Sequence, residues 1–300
     1  MALHDGRVVI VTGAAGGIGR EHALEFARQG AQVVVNDLGP AEAVVEEITA
    51  MGGRAVANHD DVSDWDAAGS LVQTALDEFG DLHVLVNNAG ILRDKMFVNM
   101  DVDMWDAVMK VHLRGTFCPT KHAVAHWRAK AKAGERVHHP RVINTSSPSG
   151  LYGNVGQSNY GAAKAAIAAF TVILADELAR LDITVNAIAP SALTGMTAGL
   201  HDYVEKMKEI KATTGFDAGS PANIAPLVVW LASEEAADIT GRVFNVKGGA
   251  ISVAETWTAG PGVEQWERWD PAQLGAVVPK LVADARPNSD GSGKPRAESR

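Results

Sequence analysis

A chain of 300 residues with 46% hydrophobic and 21% charged residues has the composition of a globular protein with a sizeable core. A net charge of −9 excludes a general nucleic-acid binder, and the single cysteine, Cys118, excludes an internal disulfide or a cysteine-rich metal site. The N-terminus "MALHDGRVVIVTG" lacks a charged and apolar leader, and no run reaches the ~18 apolar residues of a membrane helix, so a cytoplasmic protein without membrane contact is expected.

Short β-branched runs alternate with helical patterns. Strands are predicted at "RVVIVT" (7–12), "AQVVVND" (31–37), "RAVAN" (54–58), "LHVLVN" (82–87), "RVINTS" (141–146), "ITVNAI" (183–188) and "RVFNV" (242–246). Helices are predicted near 17–29, 41–51, 64–79, 103–132, 158–181 and 221–232. Most of the strands are apolar on both faces, as strands covered by two helix layers must be. The expected fold is therefore α/β: one doubly wound, Rossmann-type parallel sheet of seven strands with helices on both faces.

Two segments break the rhythm. Residues 190–216 form a long polar excursion, read as a substrate lid. After residue 250 come Trp257, Trp266 and Trp269, a helix capped by "DPAQLG", and the polar ending "RPNSDGSGKPRAESR". One domain is expected over 1–286, with an extension at 251–286, and a tail at 287–300 too poor in apolar residues to order itself.

"VVIVTGAAGGIGREHALEF" places Gly13, Gly17, Ile18 and Gly19 between a strand and a helix. Glycines there let the backbone approach a pyrophosphate, and the helix N-terminus offers N–H donors. Asp37 ends the next strand, where a carboxylate accepts hydrogen bonds from ribose hydroxyls and repels a 2′-phosphate. NAD is the expected cofactor, with Arg20 the one cation close enough to argue otherwise. "LVNNAG" sets Asn88, Ala89 and Gly90 where an adenosine can approach, and "HDDVSD" sets Asp61 and Val62 near the adenine edge.

Tyr160 and Lys164 stand four residues apart in "SNYGAAK", which puts both on one helix face. An ammonium beside a phenol favours the phenolate, and the phenol is then a proton carrier near neutrality. A packed tyrosine under a solvated lysine is the plain alternative.

Taken together, the spacing TGxxxGxG, the NNAG and the Ser147–Tyr160–Lys164 set resemble the short-chain dehydrogenase/reductase family over residues 5–250. The resemblance implies an oxidoreductase in which Tyr160 takes or gives the proton of a secondary alcohol or ketone. Lys164 would lower the tyrosine pKa and bond the nicotinamide ribose, Ser147 would hold the substrate oxygen, and no metal would be needed. Within the family, "NDLG", "NNAGILRDK", "KVHLRGTF" and "GQSNYGAAKAAI" resemble a narrower group. Its members are the (3R)-hydroxyacyl-CoA dehydrogenase unit of peroxisomal multifunctional enzymes and stand-alone actinobacterial relatives. A 3-hydroxyacyl-CoA is thus the expected substrate. The rivals are 3-oxoacyl-carrier-protein reductase, hydroxysteroid dehydrogenase and a non-catalytic NAD-binding sensor.

Two positions depart from the wider family. His112 replaces an asparagine whose backbone carbonyl holds a water in the proton relay; a side-chain shuttle through His112 is the competing reading. "PSALTG" replaces PGxxxT, leaving Leu193 to meet the carboxamide through its backbone, with Thr194 or Thr197 for the missing threonine. The resemblance also implies a homotetramer joined through the helix before Tyr160 and the one that carries it. Arg93 and Lys95 are read as cations for the phosphates of CoA, with a local Arg93–Asp94–Lys95 surface cluster as the alternative. Lys206, Lys208 and Lys211 are read either so or as a solvated helix face interleaved with Glu205 and Glu209.

Overall fold

The computed structural model describes residues 2–197, 199, 201–255 and 257–296. β1 (Val8–Thr12) leads into α1 (Gly17–Arg28), β2 (Gln32–Asn36) into α2 (Glu42–Ala50), and β3 (Arg54–Asn58) into α3 (Trp65–Phe79). After β4 (Val84–Asn87) comes a long helical run: α4 (Val102–Met109), a π turn over Lys110–Arg114, and α5 (Gly115–Lys132). β5 (Arg141–Thr145) precedes the short α6 (Pro148–Tyr152) and α7 (Ser158–Leu178). β6 (Thr184–Ser191) is followed by α8 (His201–Thr214) and α9 (Ala225–Leu231). β7 (Val243–Lys247), β8 (Ala250–Ala254) and α10 (Pro271–Asp284) complete the described elements.

The strand order is β3-β2-β1-β4-β5-β6-β7-β8. All pairs are parallel except β7 with β8, which is antiparallel. The sheet thus has eight strands where seven were expected. The reason lies in the Gly248–Gly249 turn: Gly248 adopts φ 51° and the chain reverses within two residues, pairing Lys247 with Ala250. β8 leaves Ile251 and Val253 exposed, so it lacks the two-sided apolar signature of the inner strands.

That signature is clear in β1. Val9 and Val11 enter a core with Leu24, Phe26, Ile48, Val228 and Leu231 beneath α1, α2 and α9. Val8 and Ile10 point the other way, into a core with Leu71, Trp127, Val142 and Leu178 beneath α3, α5 and α7. Successive side chains of a strand face opposite sides, so one five-residue strand seals both layers. Truncating Ile10, which is fully buried, to alanine would cost about 2–5 kcal/mol.

The C-terminal extension differs from this packing. Asp270 and Gln273 form the expected capping box at the start of α10, yet α10 buries no residue, and Trp257 and Trp266 are almost wholly exposed. Where composition predicts no order, residues 288–296 close a turn. The Asp290 carboxylate accepts from the backbones of Ser292 and Lys294, and the Arg296 guanidinium donates to the Tyr152 carbonyl. The rest of the tail, 297–300, lies outside the described residues.

Candidate active site

β1 and β4 are neighbours whose following connections leave in opposite directions, so a crevice opens at their carboxyl ends. The glycine turn after β1 forms one lip. Gly13 adopts φ 64°, and a Cβ there would lie 2.7 Å from the Ala89 Cα. A Cβ on Gly19 would lie 2.1 Å from the Gly13 carbonyl oxygen. Neither position tolerates a side chain, and the backbone itself becomes the surface of the crevice.

Asp64 and Asp101 cap α3 and α4 with their side chains, whereas no side chain caps α1 at Gly16. The N–H groups of Gly17, Ile18 and Gly19 therefore stay free to meet an anion at the positive end of the helix.

The other lip is Asn88–Gly90. Asn88 spends its amide on the turn, donating to the carbonyls of Thr12 and Gly13 at 3.0 Å each. The Thr12 hydroxyl in turn accepts from the backbones of Asn88 and Ala89. The side chain read as an adenosine neighbour is thus a staple between the two lips. Asp37 accepts from Ala15 N at 3.0 Å and Gly39 N at 2.8 Å, which fixes its carboxylate beside the glycine turn. Arg20 turns away from it and pairs with Glu21 and Glu47. Asp61 accepts from the backbone and hydroxyl of Ser63, and Val62 is buried under Gly115.

The loop after β6 differs from expectation in detail. The Leu193 N–H donates to the Gly219 carbonyl at 2.7 Å, so only its carbonyl remains for a carboxamide. Thr197 folds back, its hydroxyl donating to the Ala192 carbonyl. The Thr194 methyl instead lies 3.4 Å from where a Gly17 Cβ would be, so of the two threonines Thr194 faces the glycine turn.

Ser147, Tyr160 and Lys164 converge at the carboxyl end of β5. Ser147 caps α6, accepting from Ser149 N at 3.1 Å. Tyr160 and Lys164 occupy successive turns of α7, with the ammonium 5.6 Å from the phenol ring centre and donating to the Thr145 carbonyl at 2.6 Å. Burial pushes the Tyr160 phenol above its ordinary value, opposed by a hydrogen bond with Ser147. Burial likewise brings the Lys164 ammonium down to about 7. The expected lowering of the tyrosine by the lysine is not found. Each group pays to be charged in the same dry pocket, and the nearest acceptor of the ammonium is a backbone carbonyl.

His112 stands on the π turn, buried, with its ring edge-on to Tyr160 at 5.1 Å. Its Nε2 is bound to the backbone of Ile91, and its ring fills the space a side chain at Gly90 would take. Burial, together with the nearby Lys164 charge, drives its pKa down to about 3. A ring neutral down to that value does not gain a second proton near pH 7, which counts against the side-chain shuttle.

Several polar residues beneath the site were not singled out in the sequence. Asn159 is fully buried; its amide donates to the carbonyls of Arg93 and Met104, and its oxygen accepts from Tyr160 N. Asn87 donates to Thr120 and Asn144, and Asn144 to Thr171, a row that ties β4, β5, α5 and α7 together. The signal was an asparagine at or next to the carboxyl end of each of two buried strands, Asn87 in β4 and Asn144 in β5, where a buried amide must find partners. Arg93 and Lys95 are exposed on a segment strapped to the loop before Tyr160, with Lys95 N donating to the Gly156 carbonyl.

Residues 7–206 match the short chain dehydrogenase family model. The chain belongs to that family. This dehydrogenase is 42% identical over 295 residues to the hydroxyacyl-CoA dehydrogenase ChsB1 of Mycobacterium tuberculosis, covering 94% of this chain and 90% of that one. It is 42% identical over 289 residues to mouse peroxisomal multifunctional enzyme type 2, covering 92% of this chain and 34% of the mouse protein. A crystal structure of a short chain dehydrogenase from Mycobacterium avium superposes with TM-score 0.87 at 52% identity, over 96% of this chain and 98% of that one. The dehydrogenase therefore carries the family's Rossmann-type fold, and that fold implies a nicotinamide cofactor. Among the described residues no helix is long and apolar enough to cross a membrane.

Proposed function

We propose that the protein is an NAD-dependent dehydrogenase acting on 3-hydroxyacyl-CoA thioesters. The observation that carries the chemistry is the convergence of Ser147, Tyr160 and Lys164 beside a glycine turn with open N–H groups. A bound nicotinamide supplies the hydride acceptor in oxidation and the donor in reduction. The glycine turn and the first turn of α1 would hold its pyrophosphate, Asp37 its adenosine ribose, and Asp61 and Val62 the adenine edge.

Ser147 donates a hydrogen bond to the substrate oxygen and holds it against Tyr160. In oxidation Tyr160 removes the hydroxyl proton, and in reduction it returns one. Lys164, brought down to about 7, exchanges protons near neutrality and stabilises the phenolate as it forms. The His112 backbone carbonyl, on the π turn, would hold the water that carries the proton onward from Lys164. Asp37 supports NAD over NADP, because its fixed carboxylate repels a 2′-phosphate and Arg20 is held by two glutamates.

The acyl-CoA substrate is supported by the names of the relatives and by Arg93 and Lys95, exposed cations beside the loop that leads to Tyr160. Self-association through α4, α5 and α7 is supported by an apolar groove lined by Met109, Leu113, Phe117 and Phe170. The test follows nicotinamide absorbance with acetoacetyl-CoA and NADH or NADPH. Turnover with NADH that exceeds turnover with NADPH supports the proposal. Activity on a ketosteroid with none on acetoacetyl-CoA would refute it.

A further inference from the structure

The excursion after β6 carries three lysines whose surroundings differ. Lys208 pairs with Glu205 at 2.8 Å and Lys211 with Asp217 at 2.6 Å, so two of the three are neutralised on the lid itself. Lys206 has no carboxylate within 4.0 Å among the described residues, although Glu209 stands one turn further along α8. Lys206 shares a helix face with Tyr203, three residues before it. Over the Tyr203 ring, 5.1 Å from its centre, lies the ammonium of Lys247, the last residue of β7. Lys247 likewise has no acidic partner among the described residues. The Tyr203 hydroxyl is buried with no hydrogen-bond partner among those residues.

Lys247 and an unsatisfied hydroxyl thus meet at the junction of lid and sheet, with Lys206 one turn along α8 from Tyr203 and its charge felt by Lys247. Like charges held together without a counter-ion are unfavourable unless an anion joins them. Lys247 feels this directly: burial, then the Lys206 charge, hold its ammonium below the ordinary lysine value. The position lies at the carboxyl end of the sheet. Lys247 is the register partner of Ser191, three residues before the Thr194 that faces the glycine turn.

We infer that Lys206, Lys247 and the Tyr203 hydroxyl form an anion subsite for the phosphates of the CoA handle. The inference rests on the acyl-CoA reading above and adds where that handle is held. The two ammonium groups bracket a phosphate, and the tyrosine donates its free O–H to a phosphate oxygen.

The test compares acetoacetyl-CoA with the acetoacetyl thioester of N-acetylcysteamine, which keeps the reacting groups and has no phosphate. The native enzyme prefers the CoA thioester in kcat/KM. In Lys206→Gln/Lys247→Gln that preference falls roughly three- to ten-fold, through KM and not kcat, and the native preference weakens as salt is raised. Lys206→Arg/Lys247→Arg restores it. An acetoacetyl-phosphopantetheine arm locates the phosphate: a preference retained there assigns it to the pantetheine end, and one confined to CoA assigns it to the nucleotide end. A native preference that survives both glutamine substitutions overturns the subsite while leaving the substrate reading intact. A native enzyme with no preference for CoA overturns both.

Discussion

The His112 ring and the Ile91 backbone are joined at one atom: Nε2 lies 2.7 Å from the Ile91 carbonyl oxygen and 3.1 Å from its nitrogen. That bond anchors the segment after β4 to the π turn, while burial and the nearby Lys164 charge outweigh its pull toward the charged form and keep the ring neutral at working pH. His112→Asn should therefore keep most of the activity and leave the pH–rate profile unchanged, since an asparagine amide both donates and accepts and the backbone carbonyl is retained. Loss of the acid limb of that profile would restore the side chain as a shuttle.

In the proposed mechanism, cofactor choice rests on the Asp37 carboxylate. Asp37→Ala removes both the ribose acceptor and the charge that repels a 2′-phosphate, and the ratio of kcat/KM for NAD over NADP is expected to fall at least ten-fold, about 1.4 kcal/mol. Steady-state kinetics with both cofactors measures this. A native enzyme that turns over NADP as well as NAD contradicts it.

The Tyr160–Lys164 pair makes a pH prediction. Burial raises the phenol and Ser147 opposes that rise in part, so a charged Lys164 is needed to offset the rest as the phenolate forms. Lys164→Met should move the rising limb of kcat for alcohol oxidation upward by about one to three pH units, measured at saturating cofactor. An unshifted limb would place the responsible proton elsewhere.

Acid stability follows from buried imidazoles. His22 is held at about 3 and His4 at about 4, both chiefly by burial, and neither ring nitrogen of His22 has a partner among the described residues. These rings are neutral when folded, while the unfolded chain takes up protons below about 6.5. The stability they allow is full above that value and is lost as pH falls toward the folded values. Each ring contributes a slope of about 1.4 kcal/mol per pH unit in that window. Thermal melting should fall steeply from pH 7 to pH 5, and less steeply in His22→Leu. A flat melting temperature over that range would contradict the assignment.

Much of this architecture was legible because burial leaves marks in sequence. "VVIVT" reads as a two-faced strand since both faces are covered, and the glycine turn reads from the strand before it and the helix after it. β8 was missed although Gly248–Gly249 between two β-branched runs is a hairpin signal; an edge strand with one open face does not carry the inner-strand pattern. The π turn around His112 is also hidden, because one residue of extra winding barely disturbs helical periodicity. Tyr160 and Lys164 could be paired from spacing, but the sign of their pKa shifts depends on how dry the pocket is. The engagement of Leu193 N–H by Gly219 joins residues 26 apart, and no local pattern announces it.

In the proposed mechanism Tyr160 moves the proton while the rest of the crevice binds the cofactor. Tyr160→Phe removes one hydroxyl and leaves the ring against His112. Turnover of acetoacetyl-CoA by this variant, with NADH binding followed in parallel by fluorescence titration, tests the claim most directly. Turnover should fall by about 10²–10⁴-fold with NADH affinity unchanged. Near-native turnover in the variant would show that another group carries the proton.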